Sequence, residues 1–252
     1  MIYDPPIVLY IIISFAAVGI ALVLLGLLRS QKAKDWWLKF LASMSFLIHI
    51  SYLWYEYLTY GYAIALGTML FPIYFCNLNM ILLVVVAFIK DKQSKVFKVL
   101  SEYLLYAGTF GAIIATLFSE FYNANPNLFD YYVFKSLLSH TFLLAGCLWL
   151  GVGGYVKVRV KNTISFLIGI MICIFDGFMI NLIYEMSGIG DVNAMYLNSG
   201  PLSSVPWLTS YFIVACLVVL IFAFTSLYEL LALKKEDRWY SKISDWVKQR
   251  RK

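Results

Sequence analysis

Residues 7–29, IVLYIIISFAAVGIALVLLGLLR, contain no charged side chain until Arg29 closes the run. A helix that crosses the hydrocarbon core of a bilayer needs roughly 20 consecutive apolar residues. The stretch does not alternate, as a half-buried strand would. In lipid the backbone must satisfy its own hydrogen bonds, so an unalternating run of this length is a helix. The residues before it, MIYDPP, hold no Lys or Arg, and the run ends at an arginine rather than at a small-residue cleavage site. It therefore reads as a retained first span and not as a signal peptide.

Working outward, six further runs have the same character: Trp36–Leu58, Pro72–Ile89, Val99–Phe118, Tyr132–Tyr155, Thr163–Glu185 and Leu208–Leu233. The third is short, and the preceding TYGYAIALGTMLF has the look of a re-entrant or interfacial piece. The links alternate in charge. Residues 29–35, 90–98 and 157–161 carry three, four and three Lys or Arg, and the segment from Lys234 onward carries eight. Residues 1–6, 59–71, 119–131 and 186–207 carry none; Lys135 alone falls on the poor side. Cytoplasmic loops are the Lys- and Arg-rich ones. The expectation is an all-α polytopic membrane protein, a seven-transmembrane-helix bundle with its N-terminus outside and its C-terminus cytoplasmic. It divides into a transmembrane domain over 1–233 and a basic amphipathic tail over 234–252. In that tail Trp239, Ile243, Trp246 and Val247 fall at helical spacing among basic residues. Such a tail suits an anionic inner leaflet, and equally a solvated end that only fixes topology.

Composition agrees. Hydrophobic residues make up 62% of the 252 and charged ones 13%, with a mean hydropathy of +0.79. Soluble domains carry about 25% charged residues. The net charge of +6 is spent on links and tail, so it does not signal nucleic acid. Cys76, Cys147, Cys173 and Cys216 all lie in apolar runs without a CxxC pair, so neither a disulfide framework nor a zinc site is suggested. No nucleotide loop or haem motif is visible, and no cofactor is expected.

Ionisable side chains inside spans are costly and usually face a cavity or a partner. Five stand out: His49, Glu56, His140, Asp176 and Glu185. With a rise of 1.5 Å per residue, His49, Cys76, His140 and Asp176 all fall about 6–13 Å from the outer ends of their spans. That suggests an outward-facing polar pocket shared by spans two, three, five and six. Helical faces agree: Ser45, His49, Tyr52 and Glu56 share one stripe, Cys76 and Asn79 another, and Ser136, His140 and Cys147 a third. Taken singly, Asn77, Asn79, Asn181 and Ser139 are better explained as polar contacts between helices.

Three motifs in order carry a family resemblance. LFPIYFCNLNMI (70–81), SLLSHTFLLAG (136–146) and NAMYLNSGPLSSVPWL (193–208) resemble segments of the bacterial YwaF-type integral membrane family. That family is in turn similar to eukaryotic multi-span lipid acyltransferases that use a Cys and a His. The match places Pro72, Cys76, His140 and Asn193 at family positions, while Tyr74 stands where relatives often have His and Ala194 where they have an aromatic. The resemblance implies a bacterial plasma-membrane protein acting on phospholipids. Cys76 is then the nucleophile and His140 the base, since a thiol reacts as its thiolate and an imidazole can take the proton. Asn77 or Asn79 would supply an oxyanion donor, and Glu56 or Asp176 would orient a histidine. His49 is structural or part of a relay. Buried cysteines are usually inert, which is how Cys147, Cys173 and Cys216 read. Two rival classes remain: a proton-coupled transporter built on the intramembrane Glu, Asp and His, and a non-catalytic lipid- or partner-binding subunit.

Overall fold

The structure, a computed structural model, describes residues 4–61, 73–118, 125–188, 192–200, 205 and 207–241. Pro72 and the tail positions Ile243, Trp246 and Val247 lie outside the described residues, as does most of 59–71. Among the described residues there are helices and turns but no strand. Seven α-helices follow in order: α1 Pro5–Gly26, α2 Gln31–Tyr60, α3 Phe75–Phe88, α4 Lys95–Leu117, α5 Tyr131–Val152, α6 Thr163–Ser187 and α7 Ser210–Ala232. Short 3-10 turns at Val160–Asn162, Ala194–Tyr196 and Lys235–Asp237 sit in the links.

The starts are written in local chemistry. Pro5 and Pro6 open α1, where a missing N–H costs nothing. Ser30, Ser94, Asp130 and Thr209 accept backbone N–H bonds at the heads of α2, α4, α5 and α7. Gly61 and Gly188 end α2 and α6 with φ of 79° and 63°, a left-handed turn that suits glycine. The Lys92 ammonium closes α3 by donating to the Val86 and Ala87 carbonyls at 3.1 and 2.9 Å. A cation at that position also suits the negative end of the helix dipole.

Among the described residues, five helices are long and apolar enough to cross a membrane: Pro5–Gly26, Lys95–Leu117, Tyr131–Val152, Val160–Ser187 and Ser210–Ala232. The other two differ from the run lengths read in the sequence. α2 extends to 30 residues because its polar first turn, ahead of Trp36, is still helical. There the Trp149 indole donates to the Lys34 carbonyl at 3.1 Å and the Tyr155 hydroxyl to Asp35 at 2.5 Å. α3 is apolar but spans only 14 residues, about 21 Å at 1.5 Å each.

Helix α5 is the hub, packed against α1, α2, α3 and α4, while α4 also bears on α6. α7 leans on α6 and on the turn Val160–Asn162. Close approach follows small residues. Gly108 accepts the Cys147 side chain, and Gly169 lies so close under the Tyr103 ring that an added Cβ would overlap it. The outer helices invert the soluble pattern. Ile12, Val23, Met171, Ile172, Val219 and Leu231 are exposed, and together form an apolar belt that water would not tolerate. This is a multi-pass membrane protein.

Candidate functional site

Cys76 sits in the first turn of α3, and the thiol turns toward α4, donating to the Gly111 carbonyl with sulfur and oxygen 3.7 Å apart. Gly111 permits this closeness, since a Cβ there would stand 3.0 Å from the Phe75 ring. His140, on α5, has Nδ1 2.7 Å from the Ser136 carbonyl one turn earlier. A carbonyl only accepts, so Nδ1 carries the proton and the neutral ring presents a lone pair at Nε2. Nε2 is buried and has no hydrogen-bond partner among the described residues.

Both side chains line one cavity of about 200 Å³, together with Asn77 and Ser136. The remaining walls are mostly apolar, among them Ile114 of α4, Ile170 and Ile174 of α6, and Ile213 and Leu217 of α7. Cys76 and His140 border the same space, and no hydrogen bond joins their side chains. His49, Glu56, Asn79, Asp176 and Asn193, also singled out from the sequence, stand apart from it. His49 and Glu56 are buried on α2, His49 edge-on to Tyr52 and Glu56 accepting from the Tyr132 hydroxyl at 3.5 Å. Asn79 is fully buried with neither side-chain atom bonded, its nitrogen beside Gly111. Asp176 is half-buried on α6. Asn193 builds its own loop, accepting from Asn198 N and donating to Ser199. The α2 stripe therefore faces α5 and not this cavity.

Sequence reasoning missed the roof. Met195, Tyr196 and Leu197 line the cavity, and Met195 and Tyr196 both hold φ of 53°. Left-handed backbone at non-glycine residues costs about 1–3 kcal/mol and persists only where surroundings hold it. Three clamps do so. Met195 N donates to the Ile73 carbonyl at 2.7 Å, Ser210 Oγ donates to the Met195 carbonyl, and Ala194 N donates to Asn181 Oδ1 at 2.7 Å. Gly177 leaves room for the Met195 side chain. The Tyr196 ring packs on Tyr74 with centroids 5.1 Å apart. Cys173 also borders the cavity, its sulfur 3.2 Å from the Tyr103 hydroxyl. Asn181→Leu removes one clamp at little cost in volume. Amide exchange at Ala194 is expected to speed up about tenfold or more, against unchanged exchange in α4.

The sequence model of the TMEM164 family matches residues 3–228, nearly the whole chain. The chain belongs to the TMEM164 family. The match runs from the start of α1 to the last turns of α7, so the TMEM164 pattern embraces the bundle, the cavity and its roof. No curated protein and no solved structure matches the chain.

Proposed function

We propose that this TMEM164-family protein transfers acyl chains from phospholipids through a thioester on Cys76, with His140 as the acid–base group. One observation carries the reading: His140 is fixed by a backbone carbonyl with its second nitrogen unspent, in the same apolar cavity as a thiol. The thiol proton passes to Nε2 as sulfur bonds to the ester carbonyl carbon. The carbon–oxygen bond then breaks, and the leaving alcohol takes the proton back from the imidazole. A second alcohol, or water, reverses the steps and frees Cys76. Asn77, which lines the cavity, would supply the donor to the oxyanion. A cavity of about 200 Å³ is smaller than sites that enclose a whole drug-sized ligand, about 300–1,000 Å³. It suits the reacting end of a lipid whose remaining chain stays in the bilayer.

The wider reading is a YwaF-like protein of a bacterial plasma membrane, crossing seven times with the basic links inside. The alternative of proton-coupled transport draws on one feature: Glu56 and Lys135 are both buried, with Lys135 Nζ 4.4 Å from the Tyr52 ring centre. Proteoliposomes separate the two, since a carrier moves solute with protons and an acyltransferase does not.

The direct test incubates the purified full chain with phosphatidylcholine carrying a labelled acyl chain and looks for label on protein. Label on Cys76, released by neutral hydroxylamine and missing from Cys76→Ala, is the expected result. Label retained in Cys76→Ala, or no label with any phospholipid class while the melting point is native, would sink the mechanism.

A further inference from the structure

A second cavity, about 460 Å³, lies at the opposite end of the bundle from Cys76. It is walled by α4, the link 154–162, the end of α7 and the turn after it. The buried carboxylate of Glu229 builds it: one oxygen accepts from Val160 N and the other from Trp239 N, each at 2.8 Å. That pins the α5–α6 link and the chain after α7 to one another. Tyr106 adds a third tie, its hydroxyl accepting from Arg159 N at 3.3 Å.

Four cations line this space, Lys98, Lys157, Arg159 and Lys161, with three carboxylates, Glu102, Glu229 and Asp237. Among the described residues the two sets form no ion pair with each other. Each Glu229 oxygen accepts from a backbone N–H group, and Glu102 accepts from the Ser165 hydroxyl at 2.7 Å. Arg159 spends one donor on the Asp237 carbonyl. Among the described residues, the ammonium groups of Lys98, Lys157 and Lys161 make no hydrogen bond or ion pair. The cavity is thus rich in unspent cationic donors. Aromatic Tyr155 and Trp239 share its lining, and Val96, Val99, Ile164 and Leu230, each one or two residues along the chain from a lining residue, are exposed. Charged donors, aromatic rings and exposed apolar side chains thus occur close together along these segments.

We propose that this cavity binds the phosphate-bearing headgroup of an anionic membrane phospholipid, whose acyl chains lie along the apolar flank. Basic pockets between membrane helices take such headgroups. The guanidinium of Arg159 offers a planar fork for phosphate oxygens, and the lysines contribute mobile point charges. A free phosphate compound would use the same donors but leave the flank unused. The site is independent of Cys76.

The test uses the full chain in neutral detergent, with lipid binding followed by native mass spectrometry. The probes are dioleoyl-phosphatidylglycerol, dioleoyl-phosphatidylcholine and inorganic phosphate. The phosphatidylglycerol affinity is expected to exceed that for phosphatidylcholine, and to fall about tenfold in the double variant Lys157→Gln/Lys161→Gln. A charge-matched control, Lys32→Gln/Lys90→Gln, removes two exposed cations of the same end outside the cavity and is expected to bind as the parent does. Among the described residues no ammonium of either pair makes a hydrogen bond or ion pair, and thermal unfolding checks that the fold is kept. Equal loss in the control overturns the cavity in favour of diffuse surface charge. Unchanged binding in the cavity variant, or equal affinity for the two lipids, overturns it outright. Displacement of the lipid by millimolar inorganic phosphate assigns the site to soluble phosphate and overturns the lipid assignment.

Discussion

In His140→Gln, acyl transfer is expected to fall by about 10²–10⁴-fold with the fold intact, the usual loss when a positioned general base is removed. Glutamine is close in size and can still donate to the Ser136 carbonyl, so packing survives. It offers no basic nitrogen where Nε2 stands. The companion variant Ser136→Ala should stay within a few-fold of the parent. The group that orients the ring at 2.7 Å is the backbone carbonyl, and the serine hydroxyl is more distant at 3.5 Å. Transfer rate and the rate of Cys76 acylation are the measurements. A His140→Gln protein that acylates Cys76 at the parental rate removes His140 from the chemistry.

Gly169→Val is expected to be the most damaging single change to the bundle. A Cβ at this position would lie 2.1 and 2.3 Å from two carbons of the Tyr103 ring, far inside contact distance. The ring has no retreat, because Tyr103 is buried and its hydroxyl is paired with Cys173. Overpacking of this kind costs about 3 kcal/mol or more, a melting point lower by about 10 °C in a chain of this length. Ile170 and Cys173, next on the same face of α6, border the Cys76 cavity, so transfer should fall with stability. Gly19→Ala is the control: nothing lies within 4 Å of its added carbon, and replacing a helical glycine there should be neutral or mildly stabilising. Differential scanning of purified protein decides both. A native melting point for Gly169→Val means that α4 and α6 are not packed as described.

Much of this architecture is legible in the chain because lipid simplifies the problem. Apolar runs broken by charge mark helices, and Ser45, His49, Tyr52 and Glu56 at helical spacing are indeed one buried stripe. What periodicity lacks is the identity of the neighbour. The α2 stripe turns to α5, where Ser45 Oγ donates to the Ser139 carbonyl at 3.1 Å, and so misses the Cys76 cavity. Helix length also escaped hydropathy at α2, since a capped polar first turn adds helix without adding apolarity. The roof was the hardest part. Asn181 looks like any polar contact between helices, and its role as a clamp depends on a loop folding back over it. Met195 and Tyr196 carry no sign in sequence of left-handed backbone. Lys135 stood out as an exception to the charge count, but its burial against the Tyr52 ring follows only from the packing of α2 on α5.

The bond between Ile73 and Met195 has a consequence for biosynthesis. It joins a residue that precedes α3 to one that follows α6, so the two are made far apart in time. The hub around α5 can be assembled while the ribosome is still at work on α6. The chamber holding Cys76 and His140 stays open to lipid on one side until α7 inserts and Ser210 secures the strap. A nascent protein halted before that point would have Cys76 and His140 but lack Ser210, one of the three clamps on the loop over them.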